Sequence, residues 1–368
     1  MTIPIYDTFI APDAAARVSR VLETTFVSQG PVVAEFEGML STQLGIVNPV
    51  TVNSGTTALH LALVLAGIGP GDEVICPAQT FVASALAIRY EGGVPVFADV
   101  DYETGNVDPR SIREKLTEKT RAILVVHWAG TPCDLDEIHA IAAERGIPVI
   151  EDAAHALGAT YKGQPIGAVS DYTCFSFQAI KHVTTGDGGA VAVREPERAA
   201  EAIRRRWFGI DRAASKPSFL GERQYDIEAV GYKYHLNDYS AALGVANLAS
   251  FPDRLRRIRE IAAHYRRELA DVPGLRPFRV EPDRESAYWL YGMHVEGRDE
   301  LIRALHAAGI VASVVHQRID RNSVFGGPKE LPNQARFDES QLHIPIYARL
   351  TDEQVEHIVT TIRRGWSS

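Results

Sequence analysis

Residues 49–78 read PVTVNSGTTALHLALVLAGIGPGDEVICPA. A short apolar run, PVTV, meets a small polar turn, Asn53-Ser54-Gly55-Thr56-Thr57. An apolar helical stretch follows, closes at Gly67, and gives way to a second short run, EVICP. Both short runs lack polar alternation, the pattern of strands covered on both faces. Strand, helix and strand in that order is the repeating unit of a parallel sheet.

The unit recurs downstream. FVASALAIRYEG, PRSIREKL and DLDEIHAIAAERG have helical spacing, and VPVFADV, TRAILVVHWAG and IPVIEDAAH read as the strands between them. DYTCFSF and GAVAV continue the sheet, and EPERAAEAIRRRWFG returns to helix. Upstream, PDAAARVSRVLETTF and the stretch after Gly30-Pro31 form two helices behind an extended arm. The segment from Ile210 to Asp238 is long and irregular, which marks it as functional or interfacial. DYSAALGVANLASFPDRLRRIREIAAHYRRELA reads as one long helical run leading out of the large domain. The expected fold is α/β: a large domain over 1–245, arm included, with a mainly parallel central sheet, and a small α+β domain over 246–368.

A chain of 368 residues can bury a substantial core. With 38 basic and 47 acidic side chains the formal charge is −9, which argues against a nucleic-acid binder. Arg204-Arg205-Arg206 and the Arg254–Arg259 region alternate with apolar residues and read as solvated helix faces. Cys76, Cys133 and Cys174 are odd in number and scattered, so neither a disulfide framework nor a metal site is expected. MTIPIYDTFI lacks the pattern of a secretory signal, and no apolar stretch nears the roughly 20 residues of a membrane helix. A cytoplasmic protein without membrane contact is expected.

Ligand sites of parallel α/β sheets lie beyond the carboxyl ends of the strands. Three stretches fall there. Asn53–Thr57 precedes a helix, where converging N–H groups and the helix dipole favour an anion such as phosphate; the same residues also serve as plain caps. Glu151-Asp152-Ala153-Ala154-His155 ends a strand with carboxylates suited to a charged ring nitrogen, or to a buried ion pair. In CFSFQAIKHVTTGDGGAVAV, residues 174–193, Lys181 lies between two apolar runs. A lysine there is either a surface residue in a turn or an amine whose lowered pKa lets it condense with an aldehyde. A phosphate cradle, a carboxylate and such a lysine together are what pyridoxal 5′-phosphate requires. Phe81, in CPAQTFVAS, is either a core residue or an aromatic cover for the ring.

These motifs, with FVSQGPVVAEFE, EDAAHALGATYKGQPIG, YHLNDYSAALGVANL and LTDEQVEHIV, make the chain resemble, nearly end to end, the DegT/DnrJ/EryC1/StrS family of sugar aminotransferases. The resemblance implies an aspartate aminotransferase-like fold and a homodimer with active sites at its interface. It implies Lys181 as Schiff-base lysine and general base, Asp152 on the pyridine nitrogen, and Phe81 over the ring. Thr56, Thr57 and Ser176 would hold the phosphate, with His155 beside the cofactor. Many members carry histidine where this chain has Gln178, which can hydrogen-bond to the cofactor but cannot titrate. Many carry asparagine where this chain has Lys233, a position that reaches the phosphate from the neighbouring subunit.

The implied reaction moves an amino group from glutamate to the keto group of a nucleotide-linked deoxysugar, the cofactor alternating with pyridoxamine 5′-phosphate. Gln29, Trp207, His316 and Arg318 stand in segments suited to the sugar substrate. A ketocyclitol substrate and a cofactor-binding regulatory protein are the alternatives; a dehydratase branch carries histidine in place of Lys181. His60, His127 and His264 read as structural.

Overall fold

The apolar runs pair into a seven-stranded sheet. Its strands are β1 (Pro49–Val52), β2 (Glu73–Pro77), β3 (Val94–Ala98), β4 (Thr120–Val126), β5 (Val149–Asp152), β6 (Tyr172–Ser176) and β7 (Gly189–Val193). The structure, a computed structural model, describes residues 2–366; Met1, Ser367 and Ser368, at the outer ends of the two expected domains, lie outside it. The order across the sheet is β1-β7-β6-β5-β4-β2-β3. Every neighbouring pair is parallel except those of β7, which runs antiparallel to both β1 and β6.

Successive strand residues point to opposite faces, and both faces are dry. Val74, Cys76, Leu124, Ile150 and Val191 join one core cluster, with Leu59, Leu63 and Ile88 from helices. Ile75, Ile123, Val125, Phe175 and Ala190 join the other, with Phe36, Leu40, Ile138 and Leu248. This two-sided burial is why the strands carry no polar alternation. Each fully buried Leu, Ile or Val contributes about 1.5–3 kcal/mol.

Around the sheet lie α1 (Ala14–Glu23), α2 (Pro31–Leu44), α3 (Gly55–Leu65), α4 (Ala83–Tyr90), α5 (Pro109–Lys115), α6 (Leu135–Arg145), α7 (Pro196–Arg205) and α8 (Asp238–Ala249). The helical run expected from residue 238 onward is interrupted: α8 stops at Ala249 and α9 (Phe251–Glu268) begins after Ser250. Pro252 sits in the first turn of α9, where its missing N–H and fixed φ start a helix but cannot continue one. The division expected at 245/246 therefore falls inside α8. The small unit continues with β8 (Leu275–Pro277), β9 (Tyr291–Val295), α10 (Arg298–Ala307), α11 (Pro332–Ser340), β10 (Gln341–Ile344) and α12 (Asp352–Arg363). Its sheet, β8-β9-β10, is antiparallel and packs on Ile261, Tyr265, Leu301, Leu305, Ile358 and Ile362. The start of the N-terminal arm, counted with the large domain on sequence, is bound to this unit: Ile3 N–H donates to Gly309 O at 2.8 Å, and Val311 N–H to Ile3 O at 3.0 Å.

One buried carboxylate ties α2 to α8. Asp238 Oδ1 accepts from Gly30 N–H at 2.7 Å and Val33 N–H at 3.1 Å, and Oδ2 accepts from Val32 N–H at 3.2 Å. These are the free donors at the start of α2, and a negative charge is favoured there. Asp238→Ala is expected to lower unfolding stability by ~2–4 kcal/mol, because three donors, one buried and two part-buried, lose a charged acceptor. Asp238→Asn is expected to lose about half of that. Urea denaturation followed by far-ultraviolet circular dichroism checks both.

Candidate active site

The β7 pairing decides where the functional loops meet. Gly189 lies opposite Val52 in β1 and opposite Ser176 in β6, while Asp152 lies opposite Cys174. The ends of β1, β5 and β6 therefore open on one edge, with the residue 177–188 loop above them. Glycine is required where they crowd together: a Cβ on Gly189 would stand 2.5 Å from Ser54 O, and one on Gly55 would stand 2.9 Å from Ser176 Cβ. A cavity of about 340 Å³ lies at this edge, and Thr56, Phe81, Asp152, His155, Ser176, Gln178, Lys181 and His316 all line it.

Lys181 stands on a tight turn. Lys181 N–H donates to Gln178 O at 2.9 Å, and the Gln178 side-chain oxygen accepts from Ile180 N–H at 3.0 Å. Gln178 thus shapes the lysine's own loop. The two threonines close the loop: Thr185 N–H and the Thr184 hydroxyl both donate to Phe177 O, at 2.9 and 3.2 Å, and Gly186 turns the chain at φ +86°. Packing of protein around Lys181 lowers its amine to about 7, partly opposed by the charge of Asp152.

The adjacent acids of β5 separate onto opposite faces. Glu151 is buried and holds His127 Nε2 at 2.5 Å while accepting from the Thr173 hydroxyl at 2.9 Å. Burial works against its charge, but the hydrogen bond and charge of His127 outweigh that and keep its pKa low. Asp152 faces the cavity. Its Oδ2 accepts from the Ser84 hydroxyl at 2.7 Å and its Oδ1 from Ala154 N–H at 3.1 Å. Burial raises its pKa despite these bonds and the Lys181 charge.

At the other end of the cavity α3 begins. Ser54 caps it by accepting from Thr57 N–H at 3.1 Å, and the Thr57 hydroxyl lies 3.1 Å from Ser54 N and 2.9 Å from Asn53 Oδ1. Thr56 lines the cavity, whereas Thr57 is occupied in the capping box. Phe81 is 55% exposed, at the cavity mouth and 5.3 Å from the His316 ring, so it is not a core residue. Burial and the charge of Lys181 push His316 down to about 4, and push His155 well below its ordinary value. Both rings are neutral near pH 7.

Two residues at the site escaped the sequence reading. Ser84 sits inside α4, three places beyond Phe81, and nothing local marks it as a carboxylate partner. Trp289 comes from the small unit: its Nε1–H donates to Ile180 O at 3.0 Å, and its ring stacks on His155 at 3.8 Å with planes 19° apart. Lys181 Nζ lies 3.6 Å from the Trp289 ring centroid.

Other expected residues lie apart from the cavity. Gln29 and Trp207 line a separate cleft with Arg204, Arg212 and Arg223. Lys233 is exposed beside that cleft, its Nζ 5.5 Å from the Trp207 ring centroid. Arg318 is committed to the buried Asp320, with Nε and Nη2 donating at 2.8 and 2.6 Å. Among the described residues no helix is long and apolar enough to cross a membrane.

The GDP-perosamine synthase of Escherichia coli O157:H7 is 32% identical over 370 residues, covering 99% of either chain. The sugar aminotransferase CalS13 of Micromonospora echinospora has a structure that superposes with a TM-score of 0.94 at 38% identity, covering 99% of this chain and 100% of that one. Spr1654 of Streptococcus pneumoniae, in its PLP form, gives 0.91 at 31% identity, covering 99% and 98%. Residues 9–363 match the model of one family, so the chain with this lysine, acid and helix start at one sheet edge belongs to the DegT/DnrJ/EryC1/StrS aminotransferase family.

Proposed function

We propose that the cavity binds pyridoxal 5′-phosphate and that the protein moves an amino group from glutamate to the keto group of a nucleotide-linked deoxysugar. The observation that carries this reading is the meeting of Lys181, Asp152 and the start of α3 in one cavity. The cavity suits the cofactor on its own terms. Glycines at 55 and 189 leave backbone room beside Ser54 and Ser176 for an oxyanion, and His155 Nδ1 is a buried nitrogen without a partner.

When bound, the cofactor supplies an aldehyde for the amino group and a ring that takes up electrons as the substrate's Cα–H bond breaks. Thr56, Ser176 and the α3 N–H groups would hold the phosphate. Asp152, kept in place by Ser84 and Ala154, would hold the ring nitrogen's proton. A base is most effective with a pKa near the working pH. Burial brings the Lys181 amine to about 7, so a large share of it is neutral and able to take a proton at Nζ. Phe81 and His316 would close the mouth over the substrate.

We infer a homodimer in which Lys233 serves the partner's phosphate site. Its side chain is exposed and is not among the residues that line its own chain's cavity, which supports that placement. The cleft at Gln29 and Trp207, with Arg204, Arg212 and Arg223, suits an anionic nucleotide. The GDP-linked chemistry in the name of the Escherichia coli relative agrees with it. Arg318 is left to a structural role by its pairing with Asp320. The cysteines are unpaired and buried, as suits a reducing compartment, and we place the reaction in the cytoplasm.

The chain mixed with the cofactor is expected to develop a visible absorbance band that glutamate removes and a nucleotide ketosugar restores. Borohydride should fix the cofactor on the Lys181 peptide, and Lys181→Ala should lose at least ~10³-fold in turnover while keeping its circular dichroism. Full activity of that variant overturns the assignment. Co-expressed Lys181→Ala and Lys233→Ala chains should recover part of the activity that each lacks alone; no recovery means that each site is built from one chain.

Stability should reveal the strain at Asp152 without any cofactor. Its folded pKa lies above the unfolded one, so the folded state holds an extra proton between the two values and loses stability as pH rises through that window. Asp152→Asn removes this term, and the Ser84 hydroxyl can turn to accept from the new amide. The variant should be the more stable one above the ordinary carboxylate range, with the advantage vanishing below about pH 4. Urea midpoints across a pH series check the sign.

A further inference from the structure

Trp289 is assigned no part in the functional reading, yet its ring lies against the Lys181 amine. It is 95% buried, and two contacts bind it to the turn that carries the lysine. Nε1–H holds the carbonyl of Ile180, the residue just before Lys181, at 3.0 Å. The ring face then receives Nζ at 3.6 Å from its centroid, well inside the ~6 Å over which a cation is attracted to the face. His155 stacks on the same indole at 3.8 Å, and Tyr6 of the N-terminal arm stacks on it at 5.3 Å with planes 23° apart. The ring is thus wedged between neighbours and cannot swing away.

We propose that Trp289 is a positioning residue for the free Lys181 amine, receiving Nζ whenever it is not joined to the cofactor and stabilising the ammonium it becomes on taking a proton. The inference rests on the reading of Lys181 as the cofactor-bearing lysine. A dry pocket alone favours the neutral amine, which takes a proton but holds it poorly. An indole face favours the charged form without contributing a competing acid. The two together keep a buried amine usable in both directions.

The groups facing Lys181 leave this task to few others. Asp152, from β5, favours the ammonium by its charge. His155, His182 and His316 are each driven towards the neutral form, by burial first and by the charge of Lys181 among the other causes. Tyr6 is held un-ionised by burial. Asp187 lines the cavity with Lys181, and Asp7, Arg254 and Arg349 line a smaller one behind it. A tryptophan can meet the amine at contact distance without joining this titration.

The test is competitive acetylation of the full-length, cofactor-free chain with acetic anhydride across pH 5–10, with Lys181 reactivity read from its peptide by mass spectrometry. In the unaltered protein the midpoint is expected near 7. In Trp289→Leu it should fall by ~0.5–1 pH unit, about three- to tenfold more neutral amine on the acid side, while Trp289→Phe should keep most of the original value. Should the leucine variant fail to fold, fluorinated tryptophans at position 289 preserve shape while draining charge from the ring face, and the midpoint should fall with each added fluorine. A midpoint that stays or rises in the folded leucine variant, or ignores fluorination, overturns the proposal. Borohydride trapping on the unaltered chain keeps the two readings apart. If no pyridoxal phosphate can be fixed on Lys181, the functional reading fails and this one with it, a result separate from an unmoved midpoint.

Discussion

Asp152 ends β5 with its carboxylate out of water, and Lys181 ends a turn above the next strand with its amine nearly so. Burying either charge alone costs several kcal/mol, and their attraction repays only part of it. The surroundings accept that cost in specific ways. Ser84 and Ala154 N–H satisfy both oxygens of Asp152, the Thr184–Gly186 turn fixes the lysine's loop, and Trp289 offers a face to Nζ. The rest of the large unit can be understood as the rigid support those contacts require. Strands dry on both faces hold the loop ends in place, and the antiparallel β7 brings the start of α3 within a backbone's width of Ser176.

The alternating segments of the large unit were legible because two-sided burial leaves an unbroken apolar run, and because some of the helices between carry punctuation, side-chain caps at Ser54 and Asp108 and a glycine stop at Gly146. The break at Ser250 was not, because α8 and α9 are both helical and Pro252 is compatible with a first turn. Within the site, the residues in local motifs were found: Lys181, Asp152, Thr56, Ser176 and Phe81 all reach one cavity. Glu151 and Asp152 are equivalent as local chemistry; the resemblance singled out Asp152, and the strand's alternation supplies the physical reason, turning one acid to His127 and the other to the cavity. Ser84 and Trp289 carry no such signal. One is a serine within a helix, and the other arrives from more than a hundred residues away by tertiary packing. Arg318 shows the opposite case, a side chain rich in chemistry whose partner, Asp320, sits only two places along.

The join between the units is polar as well as apolar, and that matters for the mouth of the site. Gln79, Gln334 and Gln341 are fully buried, the first beyond β2, the others from α11 and β10. Gln334 Nε2 donates to Gln79 Oε1 at 2.8 Å, and Gln79 and Gln341 each donate to the backbone carbonyl of His316 at 3.1 Å. Apolar packing tolerates sliding by a fraction of an ångström, whereas buried carboxamides lose a large part of their energy once their geometry lapses. Val315, just before His316, adopts φ +63°, a conformation a β-branched residue takes only under constraint. The chain spends conformational strain to aim His316 at Phe81, and the carboxamides hold it there. The small unit therefore enters the active site twice, through His316 at the mouth and through Trp289 beside the amine. A displacement of that unit would be felt at both ends of the cavity at once, so the placement of the lysine and the shape of the opening are coupled through one body rather than set separately.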